Sequence, residues 1–236
     1  MKKRAISILI ISIILTSFTI QGLDIDQKVL LNRKTNPIKS DIVLITGFGP
    51  FGRFDKNPSE MISNNLNGSF INDFLIIGIT VPVNFTESVE VVSQAIDEYQ
   101  PKIVISLGLH GNSRIIRVEK LGLNIKKIKD EQGNKKFEKN EPDGPIFRMS
   151  NFPTIKIAQS IRRQGIPAIT SFNAGTYVCN ALLYGIIGYV TENILDIKTG
   201  FIHVPLLPDQ GEKNMEFDDM LKSVIISIEC LTDNFY

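Results

Sequence analysis

Five short runs rich in Ile, Val and Leu, alternating with stretches of helical spacing, set the main limit on what this chain can fold into. The runs are Ile42–Thr46, Leu75–Val81, Ile103–Leu107, Ala168–Ser171 and Gly200–Val204. The helical stretches are Ser59–Leu66, Ser88–Tyr99, Ile155–Gln164, Val178–Glu192 and Phe217–Leu231. A strand covered on both faces has no polar side, so it reads as an unbroken apolar run. Such strands alternating with helices predict an α/β fold, a three-layer sandwich around a mostly parallel central sheet. The segment Ile115–Lys129 breaks the rhythm, because its apolar residues recur at every second position and a polar loop, Asp130–Asp143, follows. It is expected to form an extra strand or hairpin at the side of the main sheet. Asn57-Pro58-Ser59 supplies a turn and an N-cap ahead of a helix, and needs no chemical role.

A chain of 236 residues with this density of apolar runs buries one substantial core, so a single catalytic domain over 41–236 is expected. Ahead of it, Lys2, Lys3 and Arg4 precede an apolar stretch from Ala5 to Ile20. That is the layout of a secretory signal over 1–22, with an uncleaved membrane anchor as the alternative. Residues 23–40 are polar, without a period, and read as a linker. Lys and Arg total 26 against 25 Asp and Glu, with no basic stripe, so nucleic acid is not an expected partner.

Only two histidines and two cysteines are present, which leaves no His-rich metal site and no disulfide framework. In an oxidising compartment Cys179 and Cys230 can in principle pair. His203, in the run Gly200-Phe-Ile-His-Val-Pro205, falls at the C-terminal end of a strand, where open α/β sheets bind ligands. A satisfied core histidine fits the same pattern. His110, in Gly108-Leu-His-Gly111, reads by default as a surface loop residue. Cys179 follows a Gly-containing turn and opens a helix, where unpaired N–H groups and the helix dipole favour a thiolate and can hold an oxyanion. A small buried hydrophobe is the competing reading of that cysteine. Spacing alone cannot choose a third partner among the 25 carboxylates.

Five blocks in order resemble pyroglutamyl peptidase type I, the pyrrolidone carboxyl peptidases, from about Asp41 to Gln210. They are Ile45-Thr-Gly-Phe-Gly-Pro-Phe-Gly52 with Asn57-Pro-Ser59, Val118-Glu-Lys-Leu-Gly-Leu-Asn124, Gly165-Ile-Pro-Ala168, Asn173-Ala-Gly-Thr-Tyr-Val-Cys-Asn180, and Gly200-Phe-Ile-His-Val-Pro205 with Pro208-Asp-Gln210. The resemblance implies a phosphorylase/hydrolase-like fold and a Cys-His-Glu triad falling on Cys179, His203 and Glu119. It implies that Phe48, Phe51 and Tyr177 flank the lactam ring of the substrate, with Leu109 and Val178 beside them. It implies peptides with N-terminal pyroglutamate as partners, no metal or other cofactor, and leaves a homo-oligomer open. A weakly active relative that only binds pyroglutamyl ends is the alternative. A nucleoside phosphorylase-like activity rests on fold analogy alone and lacks a Gly-rich phosphate loop.

The chain departs from the family pattern in three places. The segment Ile128–Gly133 is shorter by two residues and carries Lys129 nearest the usual arginine, and Lys does not replace a planar guanidinium. The loop His110–Ser113 lacks the frequent Gly-Gly-Arg, with Arg114 close by. The signal-like start is unusual for a family that is usually cytosolic, so it implies export to the periplasm or medium if it functions as a signal, and membrane contact only if it is retained.

Overall fold

The computed structural model of the chain describes residues 40–129 and 133–233. The signal-like stretch at 1–22, nearly all of the linker and the middle of the Ile128–Gly133 segment lie outside the described residues. No helix among the described residues is long and apolar enough to cross a membrane.

Five helices and eleven strands follow one another along residues 42–232. The strands are β1 (Ile42–Phe48), β2 (Phe70–Ile71), β3 (Phe74–Val81), β4 (Ile103–Leu109), β5 (Ile116–Glu119), β6 (Leu121–Leu123), β7 (Lys126–Lys129), β8 (Lys135–Glu138), β9 (Phe147–Met149), β10 (Ala168–Ser171) and β11 (Lys198–Val204). The helices are α1 (Pro58–Leu66), α2 (Glu87–Tyr99), α3 (Thr154–Arg163), α4 (Val178–Glu192) and α5 (Phe217–Thr232). Seven strands form one sheet in the order β10-β5-β11-β4-β1-β3-β2. Pairings are parallel except β11 with β5 and β2 with β3. Two small sheets, β6-β9 and β7-β8, complete the fold.

The central strands point alternate side chains into two cores. Val43, Ile45, Ile105 and Ile202 pack on one face with α1, α3 and α5, while Leu44, Val104 and Phe201 pack on the other with α2 and α4. Both faces are therefore covered, which is why these strands show no polar alternation in the sequence. Helix α1 lies close against β1 and β3, because a Cβ on Gly47 or Gly78 would collide with the backbone of Ser59 or Ser63. Its N-cap is Asn57, whose side chain accepts from the Ser59 N–H at 3.1 Å, with Pro58 at the first helical position. Helix α2 ends at Gln100, in the left-handed conformation (φ 48°), whose N–H bonds the Ile96 carbonyl at 2.8 Å.

Two sequence expectations are corrected. Strand β5 is no side element: it sits inside the main sheet between β10 and β11. Its alternation has another cause, since Ile116 and Val118 enter the α1/α3/α5 core while Arg117 and Glu119 turn to the opposite, also buried, face. The stretch taken as a polar loop contains β8, which pairs antiparallel with β7 from Lys126↔Glu138 to Lys129↔Lys135. The two cysteines are both free; Cys230 belongs to the α1/α3/α5 core and Cys179 packs on the α2/α4 side, so the sheet separates them.

Candidate active site

The antiparallel pairing of β11 with β5 is what assembles the polar centre. Its register sets His203 opposite Arg117 and Phe201 opposite Glu119. Directly opposed residues of an antiparallel pair share a face, and diagonal neighbours lie within reach of long side chains. Phe201, His203, Arg117 and Glu119 thus stand on one side of the sheet. His203 Nδ1 lies 2.9 Å from Glu119 Oε1, with the two side chains 3% and 0% exposed. Arg117 Nε is 3.5 Å from the same oxygen, and Arg117 Nη2 donates to Ser171 Oγ at 2.8 Å. The second oxygen, Glu119 Oε2, is buried and has no hydrogen-bond partner among the described residues. The Phe201 ring supports the imidazole from behind, with centroids 4.8 Å apart.

Cys179 reaches this face from the start of α4. The chain enters the helix through a turn in which Gly175 has φ 85° and its N–H bonds Asn173 Oδ1 at 3.0 Å, a backbone conformation that favours glycine. The first intrahelical bond runs from the Ala181 N–H to the Tyr177 carbonyl at 3.2 Å. The N–H groups of Val178, Cys179 and Asn180 therefore have no intrahelical acceptor. The neighbouring Asn180 holds the helix start in place: it accepts from the Leu123 N–H at 2.8 Å and donates to the carbonyls of Leu123 and Ile125 at 2.9 and 2.8 Å. The Lys127 N–H adds a bond to the Thr176 carbonyl at 2.8 Å. Across from the thiol stands Gly108, paired with His203 in the sheet. A Cβ there would lie 2.9 Å from Cys179 Sγ and 2.7 Å from the Phe201 ring, so the sulfur occupies space that only glycine leaves open.

The charges of the site depend on one another. Burial disfavours a charged His203, but Cys179, and after it Glu119, outweigh burial and raise the imidazole from 6.5 to about 9. Burial acts against ionised Glu119 as well, yet His203, with smaller help from Ser171 and Arg117, holds the carboxyl below its ordinary 4.5. A raised histidine stabilises the fold fully below 6.5, and that contribution is lost as the pH climbs through about 9. Glu119 acts in the reverse sense: its contribution is present above 4.5 and fades as the pH drops through its lowered value. The urea midpoint of the reduced protein is accordingly expected to fall between 6.5 and about 9, and this alkaline decline is expected to be absent in His203→Gln. An equal decline in both proteins would show that the pairing contributes nothing to stability.

A cavity of about 310 Å³ opens beside the thiol. Cys179 and His203 line it, and so do all five residues that the resemblance assigned to substrate: Phe48, Phe51, Leu109, Tyr177 and Val178. Glu119 stands behind His203, away from the cavity wall. Tyr177 is half exposed, and its ring packs edge-on against Phe85 with centroids 5.4 Å apart. The loop carrying Phe51 is braced at both ends. Asn57 Nδ2 donates to the Gly49 carbonyl at 3.0 Å, and the Phe48 N–H bonds Ser59 Oγ at 3.1 Å. Gln210, from the segment after His203, donates to the Lys56 carbonyl at 2.8 Å. Asn57-Pro58-Ser59 thus does more than start a helix, since it fixes the backbone of Phe48.

A family model described as pyroglutamyl peptidase matches residues 41–234. The chain belongs to the pyroglutamyl peptidase family. It is 37% identical over 197 residues to pyrrolidone-carboxylate peptidase 1 of Caldanaerobacter subterraneus subsp. tengcongensis, covering 80% of this chain and 97% of that protein. It is 35% identical to the pyrrolidone-carboxylate peptidase of Bacillus mycoides, covering 81% and 93%. Among solved structures, the pyrrolidone carboxyl peptidase from Thermococcus litoralis superposes with a TM-score of 0.76 at 32% identity, covering 82% of this chain and 94% of that one. The pyroglutamyl peptidase I from Bacillus amyloliquefaciens gives 0.76 at 33% identity, covering 81% and 94%.

Several residues of this family member's site escape sequence reasoning. Phe54 and Val83 line the cavity, and so does His110, which is not the surface residue expected. Arg117 joins the polar centre beside Glu119. The one sequence signal for Arg117 is its place two residues before Glu119 on a strand, which puts both on one face. Of the departures, Lys129 ends β7 as an exposed residue and Arg114 is exposed.

Proposed function

We propose that this chain is a cysteine exopeptidase that removes N-terminal pyroglutamate (5-oxoproline) from peptides, with Cys179 as nucleophile, His203 as acid and base, and Glu119 as the group that orients the imidazole. The observation that carries this reading is the contact of buried His203 with Glu119, 2.9 Å, at the wall of the cavity that also holds Cys179.

The chemistry follows from the charges. Cys179 gives its proton to His203 and attacks the pyroglutamyl carbonyl carbon as thiolate. The oxyanion that forms faces the unpaired N–H groups at the start of α4. His203 passes its proton to the departing amine as the C–N bond breaks, leaving a thioester on Cys179. Acylation removes the thiolate charge that helped keep His203 protonated, so the imidazole can take a proton from water as that water attacks the thioester. Pyroglutamate leaves, and the proton balance is restored. Throughout, Glu119 fixes the tautomer through Nδ1 and stabilises the imidazolium.

Substrate choice has a simple basis. An N-terminal amine carries a positive charge that a peptidase must match, whereas pyroglutamate presents an uncharged lactam. Among the described residues no Asp or Glu lines the cavity, and three Phe, two Val and one Leu form much of its apolar part. Reduced protein is expected to release pyroglutamate from pyroglutamyl-aminoacyl reporters, to leave prolyl and glutamyl reporters intact, and to lose activity on thiol alkylation. Tight binding of pyroglutamyl peptides with no release would instead mark a non-catalytic relative. Export is part of the same reading and is supported by the Lys2-Lys3-Arg4 start with its apolar run to Ile20. Recovery of the intact N-terminus from a cytosolic fraction would contradict it.

A further inference from the structure

The cavity holds a second imidazole that the chemistry above leaves without a task. His110 follows β4 directly, and its N–H bonds the Val204 carbonyl at 2.9 Å, which ties it to the strand carrying His203. The turn beyond closes with the Ser113 N–H on the His110 carbonyl at 3.0 Å. The rings of His110 and His203 stand perpendicular, at 89°, with centroids 5.3 Å apart. His110 Nδ1 is buried and has no hydrogen-bond partner among the described residues. Nε2 is not among the sealed, unpartnered atoms, and no protein group among the described residues bonds it. A ring fixed by its backbone, on the wall of a cavity where a few polar groups stand among apolar side chains, is suited to set the orientation of a small ligand.

Burial first, then His203 and Arg117, hold His110 below its ordinary 6.5, so the ring is neutral at pH 7. The groups facing it are His203 on β11, Arg117 and Glu119 on β5, and Cys179 on α4. A neutral imidazole carries one N–H and one bare nitrogen. With the proton on Nδ1, the sealed nitrogen, Nε2 is the bare one.

We propose that His110 is a specificity-determining residue, whose bare Nε2 accepts the N–H of the pyroglutamyl lactam. The proposal rests on the reading of the cavity as a pyroglutamyl site. It explains how a wall without carboxylates discriminates: a prolyl end would bring an ammonium group beside the His203 imidazolium, with no carboxylate on the cavity wall to offset it.

Two substitutions and two readouts test the assignment in the full-length reduced protein. His110→Phe keeps a flat aromatic ring without nitrogen, and His110→Gln restores an acceptor. For a pyroglutamyl reporter, His110→Phe is expected to raise KM about tenfold, the size of one lost hydrogen bond, with kcat changed by less than about threefold. His110→Gln is expected to recover most of that loss. Wild-type KM is expected to rise as the pH falls below 6.5 and Nε2 takes a proton, whereas KM of both variants stays level. The second readout needs no turnover: 2-pyrrolidone, the bare lactam, is expected to protect Cys179 from alkylation, with about ten times more required in His110→Phe. Unchanged KM, an unchanged acid rise in KM and unchanged lactam protection in both variants would overturn the role of His110. Lactam protection that depends on His110 in a protein that releases no pyroglutamate would keep this assignment and defeat the catalytic reading instead. Thermal melts of both variants identify a folding defect, and His110→Gln carries the test if His110→Phe does not fold.

Discussion

Exchanging Glu119 for Gln is expected to lower kcat on pyroglutamyl reporters by about a thousand- to ten-thousand-fold in a protein that still folds. The amide matches the carboxylate in shape but not in charge. It can offer Nδ1 either an acceptor or a donor, so the tautomer of His203 is no longer fixed, and the anion that favours imidazolium is gone. Glu119 is fully buried, so water cannot substitute for the lost charge. Arg117, 3.5 Å from the same oxygen, would also lose its ion-pair partner, and stability is expected to fall with activity. The pH dependence of Cys179 alkylation reports the electrostatic part separately. With Glu119 neutralised, His203 keeps the influence of Cys179 but loses that of Glu119, and is expected to titrate below about 9. Full activity in Glu119→Gln would mean that the imidazole is oriented by something else.

Gly108→Ala is expected to be nearly as damaging although it changes no reacting group. The added methyl would lie 2.9 Å from Cys179 Sγ and 2.7 Å from the Phe201 ring. Phe201 is fully buried and supports His203, so the overlap is relieved by moving the sulfur or by tilting the imidazole. A displacement of about 1 Å in a nucleophile costs on the order of a hundredfold in rate. Overpacking at such a site costs about 1–3 kcal/mol of stability. Steady-state kinetics and urea unfolding measure the two effects. An alanine variant with normal kcat would show that the sulfur has room to spare.

Much of this architecture is legible in the chain because covered strands and amphipathic helices leave different periods. Ala168–Ser171 and Val178–Glu192 begin and end where the sequence places them, and the other main strands and helices differ by a few residues at their ends. Strand β5 was misplaced for an instructive reason. Apolar residues at every second position suggest a strand beside the main sheet, whereas Arg117 and Glu119 lie on a face that is itself covered, with Glu119 fully buried. The short β8 and β9 are only partly buried, so they carry no apolar run to reveal them. Within the site, Cys179 and His203 stand out by scarcity and by their places at the ends of elements. Glu119 does not, because its contact with His203 depends on the antiparallel register with β11, which no local pattern encodes. It came from the family resemblance alone. The place of His110 on the cavity wall is not legible because its N–H continues the β4–β11 pairing onto the Val204 carbonyl, a contact between segments far apart in sequence.

The central claim is that Cys179 carries the acyl group while His203 and Glu119 manage its protons. Intact-mass analysis of protein mixed with a pyroglutamyl ester and quenched in acid tests it most directly. The expected result is one pyroglutamyl group per chain, mapped to Cys179 and absent in Cys179→Ala, with release of pyroglutamate lost in the same variant. Continued turnover by Cys179→Ala, or an acyl group on any other residue, would contradict the account.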